Sequence, residues 1–258
     1  MNKPEVSGIN HVIFDLNGVI LATNNVKAYV PILPYFPLYF IRKLYEMKWT
    51  GIEDDYLNFL GEIEAESTLE SFHNGQKLPQ IIVDWQTGTD ISERVEQQIQ
   101  DSTTLPYAYK KFILAVVSST LDPAQLINSR TEIPQGIELL KAFKKNGYKV
   151  YVLSNWDAQS FPLLTEKYSE LFNLFDGILT SGEAQTLKPH KEMFMQFLDK
   201  FNLDARDCIF IDDEQYNVTA AQEKAGIASV LFDKKNIETA IERLQELNIV
   251  NATEKTDS

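Results

Sequence analysis

Near the start of the chain, a short apolar run ends in an acid, and a glycine follows three residues later. The run is His11–Phe14, the acid is Asp15 and the glycine is Gly18. This pattern predicts a buried strand whose carboxyl end breaks into a tight turn. Ligands of open parallel sheets bind beyond the carboxyl ends of the strands, so Asp15 is a candidate functional residue. The alternative is an ordinary acid in a surface turn.

From residue 133 onwards, helical and β-rich segments alternate. The predicted strands are residues 148–153, 177–180, 208–211 and 229–232. The predicted helices are residues 135–145, 161–172, 189–201, 215–225 and 236–247. Such alternation predicts an α/β fold, with a Rossmann-like parallel five-stranded sheet and helices on both faces.

Residues 24–124 lack this alternation, and their apolar residues follow helical spacing instead. Helices are predicted over residues 52–66, 91–99 and 105–121, with four or five helices in all. We therefore expect an α/β core of residues 8–23 and 125–247 and a helical cap domain, residues 24–124, inserted after the first strand. Residues 248–258 are expected to form a flexible tail.

Residues 29–49 are unusually aromatic, but three prolines and two basic residues interrupt them. A membrane-spanning helix needs about 18 uninterrupted apolar residues, so this stretch is not expected to cross a bilayer. The prolines predict an extended or turned first part and a helix from about residue 37 to residue 48. Packing within the helical insertion is the favoured interpretation, and contact with a membrane surface or a partner is the alternative.

Composition limits the classes of partner and the cellular compartment. The formal charge is −13, from 37 acidic against 24 basic residues, which argues against binding to nucleic acid or an anionic membrane. The single cysteine, Cys208, rules out an internal disulfide or a multi-cysteine metal cluster. Residues 1–10 are polar and lack the apolar segment of a signal peptide, so a cytoplasmic location is expected. Neither the substrate nor the oligomeric state can be inferred from these features.

Polar residues recur at the later strand ends. Ser154 and the pair Asp212 and Asp213 each follow a predicted strand, and Lys188 precedes a helix. All can meet Asp15 at one edge of the sheet. Clustered carboxylates need a cation among them, and oxygen ligands of this kind suit Mg²⁺, which often shares its shell with a substrate phosphate. Lys188 and Ser154 could bind the remaining phosphate oxygens, and a carboxylate could attack phosphorus to give an aspartyl-phosphate.

Taken together, these motifs closely resemble those of the haloacid dehalogenase-like (HAD) superfamily, over residues 8–22 and about 125–247. The resemblance implies that Asp15 is the nucleophile. It also implies that Ser154 is the phosphate-binding hydroxyl of the family's second motif and that Lys188 is the lysine of its third motif. It also implies that Asp212 and Asp213 bind the metal. Sugar-phosphate phosphatases and the amino-terminal domains of epoxide hydrolases are the most similar branch.

The same resemblance extends to residues beside the motifs. The backbone carbonyl of Asn17 would be a further metal ligand. Asn155 and Trp156, which follow Ser154, are candidate substrate contacts together with Ser154 and Lys188. The helical insertion occupies the place where relatives with a small helical cap close over the substrate.

One position departs from the family's phosphatase pattern. These enzymes usually carry a second aspartate two residues after the nucleophile, and here that position is Asn17. An amide cannot cycle a proton, and general acid-base catalysis is typically worth about 10² to 10⁴ in rate. Slow turnover is therefore expected. The family's dehalogenases also lack this aspartate, although they do not need the metal-binding acids.

The sequence thus predicts a Mg²⁺-dependent phosphohydrolase of a small phosphorylated metabolite, with the helical insertion as its lid. Two alternatives stay open: a catalytically impaired binding or regulatory protein on the same scaffold, and a non-phosphate hydrolase such as a dehalogenase. Ser154 and the acids could instead cap helices, and Lys188 could be a solvated loop charge. Trp156 and Asp157 could equally pack and cap a helix start. His11, His73 and His190 are interpreted as structural or exposed.

Overall fold

The computed structural model of the 258-residue chain describes residues 8–46, 52–73, 75–103, 105, 107–247 and 249. Its strands are β1 His11–Phe14, β2 Leu21–Thr23, β3 Phe72–His73, β4 Gln76–Lys77, β5 Arg130–Glu132, β6 Lys149–Ser154, β7 Gly177–Thr180, β8 Cys208–Asp212 and β9 Ala228–Leu231. Helices α1 to α7 are Asn25–Tyr29, Phe36–Glu46, Ile52–Gly61, Gln80–Gln86, Ser92–Asp101, Tyr107–Leu121 and Pro123–Asn128. Helices α8 to α14 are Pro134–Lys145, Phe161–Lys167, Ser169–Phe172, Ser181–Ala184, Lys191–Phe201, Gln215–Ala225 and Ile237–Glu246. Short 3₁₀ turns lie at Leu33–Tyr35 and Ala205–Asp207.

Five of these strands form one sheet in the order β7, β6, β1, β8, β9. All four neighbouring pairs are parallel. The predicted fold class, a five-stranded parallel α/β sheet, is confirmed. Because β1 lies at the centre, the residue that follows it has a strand on each side.

Both faces of the sheet are buried, which explains the nearly continuous apolar composition of the strands. Val12 and Phe14 pack on one face with helix α8, whose Leu140 and Phe143 belong to the same cluster. Ile13 faces the opposite side, in a cluster that also contains Phe194 and Phe197 of α12 and Phe210 of β8. Alternate residues of β1 thus anchor helices on opposite faces, and the carboxyl edge of the sheet is fixed between two cores.

The helical insertion has an apolar cluster of its own, which runs from Ile32 to Leu121 and includes Leu60, Val95 and Phe112. Its described residues form six helices, α1 to α6, and a two-stranded antiparallel ribbon of β3 and β4. That ribbon was not predicted, because strands of two residues carry no detectable periodicity. The helix predicted to reach residue 66 ends at Gly61.

A second antiparallel ribbon joins the insertion to the core. Strand β2 precedes the insertion and β5 follows it, and Thr23 pairs with Arg130. This pairing was also missed, because its partners are over a hundred residues apart. In the core, the predicted helix 161–172 is divided at Tyr168 into α9 and α10.

The aromatic stretch forms a turn at Leu33–Tyr35 and then helix α2. This helix begins at Phe36, within one residue of the predicted start near residue 37. Its predicted end at residue 48 lies outside the described residues. Ile32 and Tyr39 are buried within the insertion, whereas Leu33 and Phe40 are exposed. Among the described helices, none is long and apolar enough to cross a membrane. Most of the predicted tail is likewise not described, but Ile249 is buried against the core.

Candidate active site

The strand register brings three predicted site residues to one edge of the sheet. Phe14 pairs with Val152 of β6 and with Ile211 of β8. Asp15, Ser154 and Asp212 therefore emerge together at the carboxyl ends of the three central strands. The Ser154 hydroxyl donates a hydrogen bond to Asp15 Oδ1 at 2.7 Å. Ser154 is fully buried and bonds the predicted nucleophile in place of capping a helix.

Lys188 lies at the centre of this group. Its ammonium is 2.9 Å from Asp15 Oδ1 and 2.7 Å from Asp212 Oδ2, and the residue is only 1% exposed. It is therefore not a solvated loop charge. Burial alone would lower the pKa of Lys188, but the negative charges of Asp15 and Asp212 outweigh burial and raise that pKa. Lys188 is thus held as a cation beside the nucleophile.

Asn155 positions this lysine through the main chain. Its amide nitrogen donates to the Lys188 carbonyl at 2.8 Å, and its oxygen accepts from the Lys188 N–H at 2.8 Å. Such a paired contact fixes the loop that carries Lys188 against the end of β6. Asn155 also borders the cavity described below, so its predicted role as a substrate contact stays a prediction.

The three aspartates form the one candidate metal group found among the described residues. Carboxylate oxygens of Asp15, Asp212 and Asp213 all lie within 4.8 Å of one another. Burial, followed by repulsion from Asp15 and Asp212, raises the pKa of Asp213. Burial also raises the pKa of Asp212, against the opposing effect of Lys188. An oxygen-rich cluster with this excess of negative charge fits a hard divalent cation.

The backbone of the β1 turn makes room for this cluster. Gly18 has a φ of +91°, and a Cβ at this position would lie 1.8 Å from Asp213 Oδ2. Only glycine combines that backbone conformation with the required space. Asp212 is held in turn by the Glu214 N–H at 2.8 Å and by the Asn217 amide at 3.1 Å. Asp212 thus contacts the start of α13 without capping it, since the N-cap residue of that helix is Glu214 and receives no side-chain cap.

Asn17 has a partner that sequence analysis missed. Arg130 Nη1 donates to Asn17 Oδ1 at 2.9 Å and to Thr23 Oγ1 at 2.5 Å. The register of β2 with β5 brings Arg130 to this place from 113 residues along the chain. No local motif around Arg130 signals this role, because only the pairing of the ribbon reveals it.

Trp156 and Asp157 have structural roles in the described contacts. Trp156 is 4% exposed, does not border the cavity, and donates its indole N–H to Ser160 Oγ at 2.8 Å. Asp157 accepts hydrogen bonds from the backbone N–H groups of Gln159 and Ser160, so the packing and capping interpretation fits both residues. Trp156 reaches the site only indirectly, because the Arg130 guanidinium lies 5.0 Å from its ring centroid.

A cavity of about 230 Å³ lies above these residues, between the core and the helical insertion. The core supplies Asp15, Asn17, Asn155, Lys188, Asp213 and Arg130 among others, and the insertion supplies Ser71, Phe72, His73, Leu78, Ile82 and Gln86. Sequence analysis did not identify any of the insertion residues as site residues. His73 was interpreted as structural or exposed; it borders this cavity and pairs with Glu214 at 3.5 Å.

Comparison with known proteins agrees with this geometry. The model of the haloacid dehalogenase-like hydrolase family matches residues 9–223. Over 95 residues the chain is 36% identical to the sesquiterpene phosphatase astK of Aspergillus oryzae, which covers 37% of this chain and 48% of that protein. Over 125 residues it is 33% identical to the drimenol cyclase drtB of Aspergillus calidoustus, which covers 48% of this chain and 22% of that protein. The chain thus spans half or less of these curated relatives.

Solved structures agree on the fold. A HAD family enzyme from Bacteroides thetaiotaomicron aligns with a TM-score of 0.56 at 18% identity, over 88% of this chain and 95% of that chain. A predicted HAD-like family hydrolase from Porphyromonas gingivalis aligns with a TM-score of 0.55 at 19% identity, over 93% and 98% of the two chains. From the family match across most of its length, this chain belongs to the haloacid dehalogenase-like hydrolases and is an enzyme of that family.

Proposed function

We propose that this enzyme is a Mg²⁺-dependent phosphohydrolase that acts on a small phosphorylated metabolite. The observation that carries the proposal is the arrangement around Asp15, whose Oδ1 contacts both Ser154 and Lys188 while two further aspartates lie beside it. Among the described residues, Asp15 Oδ2 has no hydrogen bond, so this oxygen can face a substrate. The name of the relative from Aspergillus oryzae, a phosphatase, also supports this reaction class.

In the proposed reaction, a carboxylate oxygen of Asp15 attacks phosphorus and the bond to the leaving oxygen breaks. The leaving oxygen takes a proton from water, and a second water then splits the aspartyl-phosphate into inorganic phosphate and free Asp15. Lys188 and Ser154 hold Asp15 and would donate to phosphate oxygens. Asp15, Asp212 and Asp213, with the Asn17 carbonyl, would hold Mg²⁺, which supplies positive charge against the phosphate when bound.

The cavity supports a small, polar substrate. Its volume of about 230 Å³ falls below the roughly 300–1,000 Å³ typical of pockets for drug-sized ligands. Charged and amide side chains make up much of its wall. A bulky apolar group of the kind named for the curated relatives does not suit such a wall, so we place this enzyme's substrate in a different chemical class.

Phosphate release and active-site trapping together test this function. The purified enzyme with Mg²⁺ is expected to release phosphate from members of a panel of phosphorylated metabolites. Asp15→Asn, which keeps the shape of the side chain, should lose at least about 10³-fold of that activity. Beryllium fluoride with Mg²⁺ should occupy Asp15 in the wild-type protein and protect it against thermal unfolding. A wild-type protein that neither releases phosphate nor responds to beryllium fluoride would overturn the proposal and favour a binding protein.

A further inference from the structure

The Arg130 side chain is a partly buried cation that makes no ion pair with any described carboxylate. Nη1 contacts only the neutral oxygens of Asn17 and Thr23, and Nε is enclosed without any hydrogen bond. Burial lowers the pKa of Arg130 to about 10, against the weaker attraction of Asp157, so the guanidinium is still charged at neutral pH. A partly buried guanidinium with an enclosed Nε and no close counter-ion would gain from pairing with an anion that enters the cavity.

The position of this cation relates it to the substrate. Arg130 borders the same cavity as Asp15 and Lys188, and it touches the side chain two residues after the nucleophile. The Trp156 ring beneath the guanidinium and the β2–β5 pairing fix its orientation. It takes no part in the ion pairs that Lys188 makes with Asp15 and Asp212. Arg130 is therefore placed for a second group on the same ligand.

Two further polar atoms of the cavity wall lack partners. Ser71 Oγ and Gln86 Oε1, both from the helical insertion, are buried without a hydrogen bond in the described structure. Buried polar groups in native proteins are usually satisfied, so such atoms in a ligand cavity indicate contacts that the ligand completes. They favour a hydroxyl-bearing or similarly polar body between the two charged ends of the substrate.

We propose that Arg130 is a specificity residue that binds a second oxyanion of the substrate, a carboxylate or a second phosphate, while the first phosphate lies on Asp15 and Lys188. This inference rests on the proposed phosphohydrolase function and narrows its substrate class. Guanidinium groups pair with carboxylate and phosphate oxygens through two parallel hydrogen bonds. The two contacts of Arg130 with neutral oxygens both use Nη1, so they do not form such a pair.

Matched substrates test this inference. Glycerol 3-phosphate and 3-phosphoglycerate differ by a hydroxymethyl group against a carboxylate, and propyl phosphate and propane-1,3-diol bisphosphate differ by the second phosphate. The wild-type enzyme is expected to prefer the member with a second anionic group in at least one pair, by about 10- to 100-fold in kcat/KM. A preference in the first pair alone identifies a carboxylate, and a preference in the second alone identifies a phosphate.

Variants assign the preference to Arg130. Arg130→Gln should remove this preference, mainly through a higher KM for the substrate that carries the second anionic group. Arg130→Lys should keep part of the preference. In Arg130→Ala, added free guanidinium should restore part of the preference. Arg243→Gln, at an exposed helix position, is the matched control and should retain the full preference. Thermal unfolding of each variant shows whether the fold is kept.

Two results separate this inference from the proposed function. Equal turnover of both members of each pair would overturn the role of Arg130 and leave the phosphohydrolase function standing. If the wild-type enzyme hydrolyses none of the four compounds, calorimetric titration of each into Asp15→Asn provides the remaining readout. Tighter binding of a compound with two anionic groups, lost when Arg130→Gln is added to Asp15→Asn, would support the inference. Equal binding of all four compounds to Asp15→Asn and to the double variant would overturn it.

Discussion

Gly18 shapes the metal-binding cluster through the space that it leaves beside Asp213. In Gly18→Ala the new methyl would overlap the Asp213 carboxylate, in addition to the cost of a positive φ, about 1–2 kcal/mol. We expect Mg²⁺ affinity, measured by calorimetry, to fall at least about tenfold. Gly147→Ala is the matched control, because Gly147 has a φ of +83° and nothing within 4 Å of its Cβ position. It should lose similar stability but keep its Mg²⁺ affinity, and equal affinities in both variants would contradict this account.

We expect Asn17 to determine which leaving groups the enzyme can expel. Without an acid at this position, aryl and acyl phosphates should turn over faster than alkyl phosphates, since poor leaving groups depend most on protonation. Asn17→Asp should raise alkyl-phosphate turnover, but by less than the roughly 10² to 10⁴ of a full acid catalyst. The reason is that Arg130 contacts this side chain and would favour the ionised carboxylate.

Phosphate release from both substrate classes measures this effect. Asn58→Asp, an exposed position in α3, adds the same charge at a distance and should leave the preference unchanged. An alkyl-phosphate rate in Asn17→Asp that equals that of the wild-type enzyme would show that this position does not limit turnover.

Among the strands, β6 and β7 are connected by the carboxylate of Asp176, which directly precedes β7 and accepts a hydrogen bond from β6. Burial would raise the pKa of Asp176, but the Val150 N–H and the ammonium groups of Lys149 and Lys144 outweigh it and lower that pKa to about 2. A carboxyl with a depressed pKa stabilises the folded state above its unfolded pKa, near 4, and this stabilisation is lost as pH falls towards 2. After allowance for solvent screening, it amounts to about 1–2 kcal/mol.

Asp176→Asn should therefore lower the free energy of unfolding at pH 7 by that amount, and the difference from the wild-type protein should shrink below pH 4. Urea denaturation across this pH range measures both effects. Asp199→Asn is the control and should change the free energy of unfolding little at any pH, since Asp199 is exposed in α12 and makes no ion pair among the described residues. A pH-independent difference for Asp176→Asn would show that the lost contact is not electrostatic.

The same strands show which parts of the structure follow from local sequence. β1 and β6 to β9 were predicted nearly to the residue, because apolar runs and alternating helices record burial on both faces of a sheet. The site residues at their carboxyl ends followed from that prediction. The β2–β5 and β3–β4 ribbons did not, because short strands depend on a partner elsewhere in the chain. Arg130 was missed for the same reason, whereas Ser71 and Gln86 were missed because only the folded insertion brings them to the cavity.

On the scale of the complete chain, the helical insertion contacts the core on both sides of the cavity. Phe72 stacks on Tyr216 of α13 with ring centroids 4.2 Å apart and planes 9° from parallel. On another side, Ser181 Oγ donates to the Gln86 carbonyl at 2.6 Å. His190 Nε2 also accepts the Glu70 N–H at 3.0 Å. These contacts hold the insertion against the core beside the cavity that Asp15 borders, and its role as a lid stays a prediction.

Phe72→Ala should weaken this closure and lower kcat/KM by about 10- to 100-fold, because substrate positioning depends on the closed cavity. Steady-state phosphate release measures the loss. Phe40→Ala removes an aromatic ring from an exposed part of the same insertion and should keep wild-type kinetics. Comparable losses in the two variants would indicate general destabilisation of the insertion.

The antiparallel pairing of Thr23 with Arg130 brings the two ends of the insertion side by side. The insertion is therefore joined to the core in the same way as a short loop, although about a hundred residues intervene. We expect that the insertion residues bordering the cavity can be exchanged together, with Asp15 and Lys188 undisturbed. Arg130 is the exception, because it lies on β5, after the insertion, and would stay in place whichever insertion precedes it.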